Sequence, residues 1–220
     1  MADGTLYLGT RRYSSWSMRG WLVVRQAGLD VEEVVIPIDG QGTTAAVKAI
    51  SPSGLVPCLE HRGTSVWETL AIAEYCAERA PALWPAANPA RAWARAIAAE
   101  MHAGFRELRL AMPMVLGRHA PGAGHTPGAL ADIARIERLW ADTRARFGAG
   151  GPYLFGAAFG AADAMYAPVV ARFLAYEPEL TAGGRAYCAA VRAHPLVATW
   201  YEQAAAEPLA WRVARYETLA

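Results

Sequence analysis

The sequence predicts an α+β domain followed by an all-α domain, and three observations support this division. Strand-like and helix-like stretches alternate over residues 1–80. Three prolines and no apolar periodicity mark residues 81–90, which we interpret as a linker. Residues 91–220 carry helical periodicity and no convincing strand. We therefore expect a mixed domain, a linker and a helical domain, in that order.

The composition excludes several classes of partner. The chain has 220 residues, 54% of them hydrophobic, with 21 basic and 20 acidic side chains. This balance gives no electrostatic case for nucleic acid or a membrane surface, so neither partner is expected. The first residues lack a signal-peptide pattern, and no apolar run reaches the ~18 residues of a membrane span. Three widely spaced cysteines indicate neither disulfides nor a zinc site, and we expect a cytoplasmic location.

The first unit is a strand, a polar turn and a helix. Residues 5–9 are strand-like, and an apolar periodic run from residue 16 to residue 27 predicts a helix that Gly28 ends. Two hydroxyls, Ser14 and Ser15, stand where this helix begins. The first turn of a helix has unpaired N–H groups that stabilise an anion, so the serines mark a candidate anion site. The alternative is that a serine simply caps the helix.

The remaining elements of the first domain follow in order. Residues 32–38 are predicted to form a second strand. Pro37 within it predicts an edge position in the sheet, because proline has no N–H to donate to a neighbouring strand. The other predicted elements are a loop at 39–42, a short helix at 43–50, a hairpin of strands at 56–60 and 65–67, and a helix at 69–79.

The second domain is predicted to consist of helices alone. Residues 91–118 show one long helical pattern, with a bend expected at Pro113. A nearly all-apolar stretch at 161–176 predicts the central buried helix. Asp163 in its first turn is interpreted as a structural cap. Further helices are expected at 127–147, 186–192 and 196–206.

Two further positions are candidate ligand contacts. The Val56–Pro57 bond is a candidate cis peptide that would present the Val56 backbone to a ligand, although cis is the minority form of X–Pro bonds. Thr69 begins a helix, where its hydroxyl and N–H could hold a carboxylate, and the adjacent Glu68 could pair with an ammonium group. A plain capping arrangement is the alternative for this pair. The five histidines show no metal-ligand spacing, and no metal is expected.

Taken together, these segments resemble the cytosolic glutathione S-transferase family over essentially the whole chain. Residues 13–19 (YSSWSMR) are similar to the Ser-Ser-Cys-Ser-x-Arg stretch of zeta-like and related bacterial members. Residues 51–57 (SPSGLVP) resemble the family's Asn-Pro-x-Gly-x-Val-Pro loop, whose proline is cis. Residues 68–72 (ETLAI) resemble the Glu/Gln-Ser-x-Ala-Ile segment that holds the γ-glutamyl group. Residues 160–163 (GAAD) match the Ser/Thr-x-x-Asp cap.

The resemblance implies a thioredoxin-like first domain, glutathione as co-substrate and a homodimer. The implied function is activation of the glutathione thiol by Ser14 or Ser15, with Ser14 preferred, for addition to a small electrophilic substrate. Val56, Pro57, Glu68 and Thr69 are the implied glutathione contacts. The preference for Ser14 assumes that Ser15, one step into the helix, is occupied in capping. The alternatives are a glutathione-dependent isomerase of the maleylacetoacetate type and a non-catalytic dimeric binding or scaffold module.

Three residues depart from the family pattern. Trp16 stands where zeta-like enzymes have cysteine, Thr69 replaces serine, and Gly160 replaces the capping hydroxyl. Loss of a thiol at residue 16 removes one contribution to the site but favours neither the enzyme nor the scaffold hypothesis.

Overall fold

The computed structural model describes residues 2–38 and 44–218 of the chain. Its first domain has the predicted order of elements, with the loop predicted at 39–42 lying outside the described residues. These elements are β1 (Gly4–Gly9), α1 (Ser15–Gln26), β2 (Glu32–Ile36), α2 (Ala45–Ile50), β3 (Cys58–His61), β4 (Thr64–Trp67) and α3 (Thr69–Ala77). This is the thioredoxin-like βαβαββα arrangement, so the predicted fold class is confirmed for this half.

The sheet has four strands in the order β2-β1-β3-β4. Strand β1 pairs in parallel with β2 and antiparallel with β3, and β3 and β4 form an antiparallel hairpin. The edge position predicted from Pro37 is confirmed, because β2 is an outer strand. That strand ends at Ile36, however, so Pro37 follows it instead of lying inside it.

The second domain is helical throughout its described residues, as predicted. After a 3₁₀ turn at Pro81–Leu83, its helices are α4 (Asn88–Ala103), α5 (Arg106–Ala111), α6 (Pro127–Phe147), α7 (Ala161–Tyr176), α8 (Ala182–Ala193) and α9 (Pro195–Ala205). A 3₁₀ turn at Leu209–Trp211 and the short helix α10 (Ala214–Glu217) follow. No helix of the described ranges is long and apolar enough to cross a membrane.

Helix α4 begins at Asn88, three residues before the predicted start at residue 91 and inside the predicted linker, and two other helices differ more from the prediction. The single long helix over 91–118 is wrong, because the chain breaks between α4 and α5 at Gly104 and Phe105, well before Pro113. Phe105 is left-handed, with φ at 57°, and a residue in that conformation cannot continue a right-handed helix. Helix α8 starts four residues before the predicted residue 186, because the Thr181 hydroxyl caps it by accepting from the Gly184 N–H at 3.0 Å.

One continuous core joins the two domains. Helix α1 packs against α3 on one side and α7 on the other, and α7 is buried along almost its whole length, as predicted. Trp21 of α1 meets Trp200 of α9 with ring centres 5.4 Å apart. Helix α1 also passes close to the β3 loop, since a Cβ added at Gly20 would stand 2.6 Å from Cγ of Pro57. Helix α1 is therefore packed against elements of both domains.

Candidate active site

One cavity of about 360 Å³ lies at the junction of the two domains. Its wall includes all six residues that the sequence singled out: Ser14, Ser15, Val56, Pro57, Glu68 and Thr69. The other lining residues are Tyr13, Trp16, Ile38, Val47, Ser53, Gly54, Leu55 and His102. Of these, His102 comes from the helical domain, on α4. The fold thus brings residues from α1, the β3 loop, α3 and α4 to one place.

The start of α1 differs from the prediction in which serine caps it. The N-cap is Ser14, whose Oγ accepts from the Ser17 N–H at 3.2 Å and donates to Ser17 Oγ at 2.8 Å. Ser17 Oγ in turn accepts from the Gly9 N–H at 2.9 Å. The assignment of capping to Ser15 is therefore wrong. Ser15 is the first helical residue, and its hydroxyl forms no hydrogen bond within the described residues.

The beginning of α3 presents a hydroxyl without a partner. Thr69 is 2% exposed, and its Oγ1 makes no hydrogen bond to any residue that the structure describes. A buried hydroxyl left unpaired costs free energy, on the order of 1–3 kcal/mol, so this atom favours a ligand group in the cavity. Glu68, the residue before the helix, forms no side-chain cap either. The plain capping alternative for this pair is therefore not what the structure has.

Glu68 instead reaches across to the helical domain. Its carboxylate lies 2.8 Å from Nε2 of His102 on α4. The His102 ring in turn lies against Trp16, with ring centres 5.1 Å apart. One chain of contacts therefore runs from Glu68 through His102 to the residue that replaces cysteine in the family pattern.

The Val56–Pro57 peptide bond is cis, as the sequence suggested. Beside it, Ser53 organises the loop before β3, accepting from the Leu55 N–H at 3.3 Å and lying 3.1 Å from the Ser51 hydroxyl. Ser53 lines the cavity and was not among the predicted site residues.

Two buried arginines, Arg19 and Arg172, and the half-buried Arg109 lie close together near the start of α1. The guanidinium carbons of Arg19 and Arg109 each lie 4.7 Å from the centre of a Trp16 ring. Arg19 is fully buried, and burial lowers its pKa, with the nearby charges of Arg109 and Arg172 acting in the same direction. Burial also lowers the pKa of Arg172 to about 9. We call Arg19, Arg109 and Arg172 the arginine group.

The arginine group is held by backbone carbonyls. Arg19 donates to the carbonyls of Met165 at 2.8 Å and Ser15 at 3.3 Å, while its Nη2 has no partner among the residues in the described ranges. Arg172 donates to the carbonyls of Met112 and Pro168. Within the described residues, no carboxylate forms an ion pair with the group. Carbonyl dipoles offset the charge of such a group only in part.

Tyr13 is a second hydroxyl in the cavity wall that the sequence analysis did not consider. Its hydroxyl donates to the Glu217 carboxylate and accepts from the Val213 N–H at 3.1 Å. Burial raises the pKa of Tyr13, and the hydrogen bond to Glu217 adds to the shift. The phenol is thus a neutral group already committed to that carboxylate. The sequence could have indicated Tyr13, because it is the residue before Ser14. It could not have indicated His102, which lies 34 residues along the chain from its partner Glu68.

Asp163 has the structural role that the sequence predicted. It is fully buried and accepts hydrogen bonds from the N–H groups of Leu154 and Gly160 and from the Tyr187 hydroxyl. Burial raises its pKa to about 6 in spite of these hydrogen bonds. Because it does not line the cavity, we assign it to the folding of the helical domain.

Known sequence families and solved structures match this architecture. The family model described as "Glutathione S-transferase, N-terminal domain" matches residues 13–79, and "Glutathione S-transferase, C-terminal domain" matches residues 122–203. The two models together span about two thirds of the chain. No curated protein matches the sequence.

Several solved structures have the same fold. A glutathione transferase homolog from Burkholderia gl BGR1 with bound glutathione is 23% identical, with a TM-score of 0.71 over 93% of this chain and 100% of that one. A theta class glutathione S-transferase from Xanthomonas axonopodis pv. citri with glutathione bound is 25% identical, with a TM-score of 0.66 over 95% and 100%. A tau class enzyme from mango, Mangifera indica, is 18% identical, with a TM-score of 0.70 over 99% of both chains.

Proposed function

This chain belongs to the glutathione S-transferase family, and we propose that it binds glutathione in the cavity and activates its thiol for addition to a small electrophile. The observation that carries the proposal is the unpartnered, buried Thr69 hydroxyl in the wall of a cavity that also contains Ser14. Glutathione offers that hydroxyl a carboxylate and offers the serine a thiol. The solved relatives that contain bound glutathione support the same ligand.

The proposed binding mode follows from what each wall of the cavity offers. The γ-glutamyl carboxylate accepts from the Thr69 hydroxyl and from the first N–H groups of α3, where the helix dipole favours an anion. The Glu68 carboxylate pairs with the ammonium group beside it. The cysteinyl backbone lies along Val56, and this places the thiol towards the start of α1.

The proposed chemistry needs stabilisation of a thiolate and no general base. A thiol has a pKa near ~8.5, so little of it is ionised at neutral pH. A hydroxyl hydrogen bond to a charged group is worth about 1.5–3 kcal/mol, which corresponds to about one to two pKa units. The positive potential of the arginine group acts in the same direction. The thiol proton passes to water, the thiolate adds to the electrophilic carbon as the π bond there opens, and the adduct takes up a proton from water.

A glutathione-dependent isomerase of an acidic substrate is the second candidate, and one observation favours it. The arginine group carries positive charge that is not paired with a carboxylate, and Arg109 is only partly buried beside Trp16. A carboxylate on the electrophile would be favoured at that wall. The zeta-like subclass belongs to this proposal, with Trp16 in place of the cysteine as its main departure.

The homodimer and the cytoplasmic location are also proposed, and both rest on the family. Exposed apolar side chains such as Trp67, at 40%, and Leu55, at 50%, agree with a partner surface. We expect sedimentation at micromolar concentration to give twice the 23.6 kDa chain mass. A mass near 23.6 kDa would contradict the dimer.

The test of the proposed function separates binding from chemistry. Isothermal titration with S-methylglutathione, whose thiol is blocked, measures binding alone, and a conjugation assay with glutathione over a panel of neutral and acidic electrophiles measures reaction. Binding with conjugation supports the transferase, and turnover of cis-enedione acids without loss of glutathione supports the isomerase. Binding without either reaction supports the scaffold hypothesis, and no binding at millimolar ligand refutes the proposal.

A further inference from the structure

A distant part of the chain holds the loop that carries the serines. We call residues 10–14 the site loop and residues 207–217 the C-terminal segment. The Glu207 carboxylate accepts from two backbone N–H groups of the site loop, those of Arg11 at 2.7 Å and Arg12 at 3.2 Å. Backbone groups of a loop need such partners when they are withdrawn from water. The C-terminal segment therefore supplies hydrogen-bond acceptors to N–H groups that a helix or a sheet would otherwise pair.

Glu217 forms the stronger part of this attachment. Its two carboxylate oxygens accept from Nε and Nη2 of Arg12 at 2.7 and 2.9 Å, which is bidentate geometry. One of these oxygens also accepts from the Tyr13 hydroxyl. The hydrogen bond from Arg12 lowers the pKa of Glu217 to about 2, so the carboxylate stays ionised across the physiological range.

The C-terminal segment is itself fixed to both domains. The Tyr216 ring lies against Tyr13, with ring centres 5.3 Å apart, and its carbonyl accepts from Nη1 of Arg118 at 3.1 Å. The Val213 N–H donates to the Tyr13 hydroxyl. Arg12 is also bound to the loop after α5, because the Leu116 N–H donates to its carbonyl at 3.0 Å. Glu217 thus belongs to a network of hydrogen bonds and ring contacts, and a shift of the C-terminal segment would displace the site loop.

Movement of Arg12 or Tyr13 would move Ser14 directly. The site loop is a tight turn in which the N–H groups of Tyr13 and Ser14 both donate to the Thr10 carbonyl, at 3.2 and 2.9 Å. Ser14 is the next residue after Tyr13 and ends the turn as the cap of α1. A displacement of the reacting groups by about 1 Å is enough to reduce a rate on the order of a hundredfold.

We propose that Glu217 is a positioning residue for thiol activation: it fixes Arg12 and Tyr13, and through them the place of the Ser14 hydroxyl. It also keeps the Tyr13 hydroxyl bonded to a carboxylate, so that this phenol is not offered to the thiol as a donor. The expected effect of Glu217 on the thiol rests on the proposed function. Its expected effect on the position of the site loop does not.

The experiment compares Glu217→Gln with a matched control, Glu74→Gln. Glu74 also binds an arginine in bidentate geometry, Arg95 at 2.9 and 2.8 Å, and this pair joins α3 to α4 instead of binding the site loop. In Glu217→Gln we expect amide hydrogen exchange over residues 10–18 to accelerate at least tenfold. We also expect kcat to fall on the order of tenfold to a hundredfold with a smaller change in the KM for glutathione. Glu74→Gln should change neither quantity.

A pH profile distinguishes positioning from a merely structural role. If Ser14 is displaced, the pKa of bound glutathione rises in Glu217→Gln, whereas a loss of folded protein lowers the amplitude and leaves the pKa where it was. Glu217→Asp, which keeps the charge, should recover part of the wild-type profile. Unchanged exchange over residues 10–18 overturns the proposal, and so does faster exchange with an unchanged thiol pKa. Failure of the wild-type protein to bind glutathione refutes the proposed function separately, because the exchange experiment needs no ligand.

Discussion

The choice between Ser14 and Ser15 can be made by measuring protein stability and thiol ionisation in the same variants. Ser14 Oγ is both the cap of α1 and part of a chain of hydrogen bonds from Gly9 through Ser17. If the Ser17 hydroxyl turns its proton to Ser14 Oγ, the Ser14 proton becomes available to the thiolate. Ser14 would then accept two hydrogen bonds while donating one, which strengthens it as a donor. The preference for Ser14 therefore stays a prediction, now with a different reason from the one the sequence offered.

The expected magnitudes follow from these contacts. Ser14→Ala removes the cap, which costs about 0.5–2 kcal/mol of the free energy of unfolding. For a chain of this size each kcal/mol lowers Tm by about 2–4 °C. Loss of the hydrogen bond to the thiolate raises the pKa of bound glutathione by about one to two units. Below the wild-type thiol pKa, the conjugation rate of Ser14→Ala should be about tenfold to a hundredfold lower than that of the wild type. Above the raised pKa of the variant, the two rates should become similar.

Ser15→Ala is the matched control, because it removes a hydroxyl from the same cavity wall one residue away. Ser15 does not cap α1 and its hydroxyl makes no hydrogen bond within the described residues, so we expect Tm and the thiol pKa to stay close to wild type. The assay is a pH titration of thiolate ultraviolet absorbance, with thermal unfolding of each variant in parallel. A raised thiol pKa in Ser15→Ala together with a wild-type pKa in Ser14→Ala would refute the assignment.

Two further predictions concern the glutathione end of the cavity and the helical core. Thr69→Val should raise the Kd for glutathione by about tenfold, whereas Thr69→Ser should leave it unchanged, because the hydroxyl of residue 69 donates to the γ-glutamyl carboxylate in the proposed binding mode. Equal affinity of the two variants in calorimetry would argue against a carboxylate at this hydroxyl. Burial raises the pKa of Asp163 to about 6 from its ordinary 3.8, so the folded protein binds a proton that the unfolded chain has already lost between these pH values. The stability of the wild type relative to Asp163→Asn should therefore be greatest below pH ~4 and fall by about 3 kcal/mol as the pH rises past ~6, as followed by denaturant unfolding; a constant difference would contradict the raised pKa.

The sequence predicted those features that local patterns control. The order of strands and helices in the first domain and the buried helix α7 follow from periodicities of two and 3.6 residues, which the sequence displays directly. The six site residues could be selected because each lies beside a helix start or a proline loop. Their ligand roles remain predictions.

Other features depend on contacts between distant residues, which no local pattern encodes. The break between α4 and α5 requires Phe105 to adopt a left-handed conformation that its own sequence does not favour. The choice of cap between Ser14 and Ser15 is a shift of one residue, within the usual error of a predicted boundary. The carboxylate of Glu217 lies 205 residues from Arg12 along the chain, so its contact with the site loop could not be anticipated.

That long separation has a consequence for how the protein is made. The residues of the first domain leave the ribosome well before Glu207 and Glu217, which complete the surroundings of Arg11 and Arg12. At synthesis rates of ~5–20 residues per second, the 137 residues from residue 80 to Glu217 take about 7–27 s to make. During that interval the sheet and α1 can assemble while the loop that carries Ser14 lacks its carboxylate partners. The nascent first domain should therefore fold before Glu207 and Glu217 bind the loop that carries Ser14.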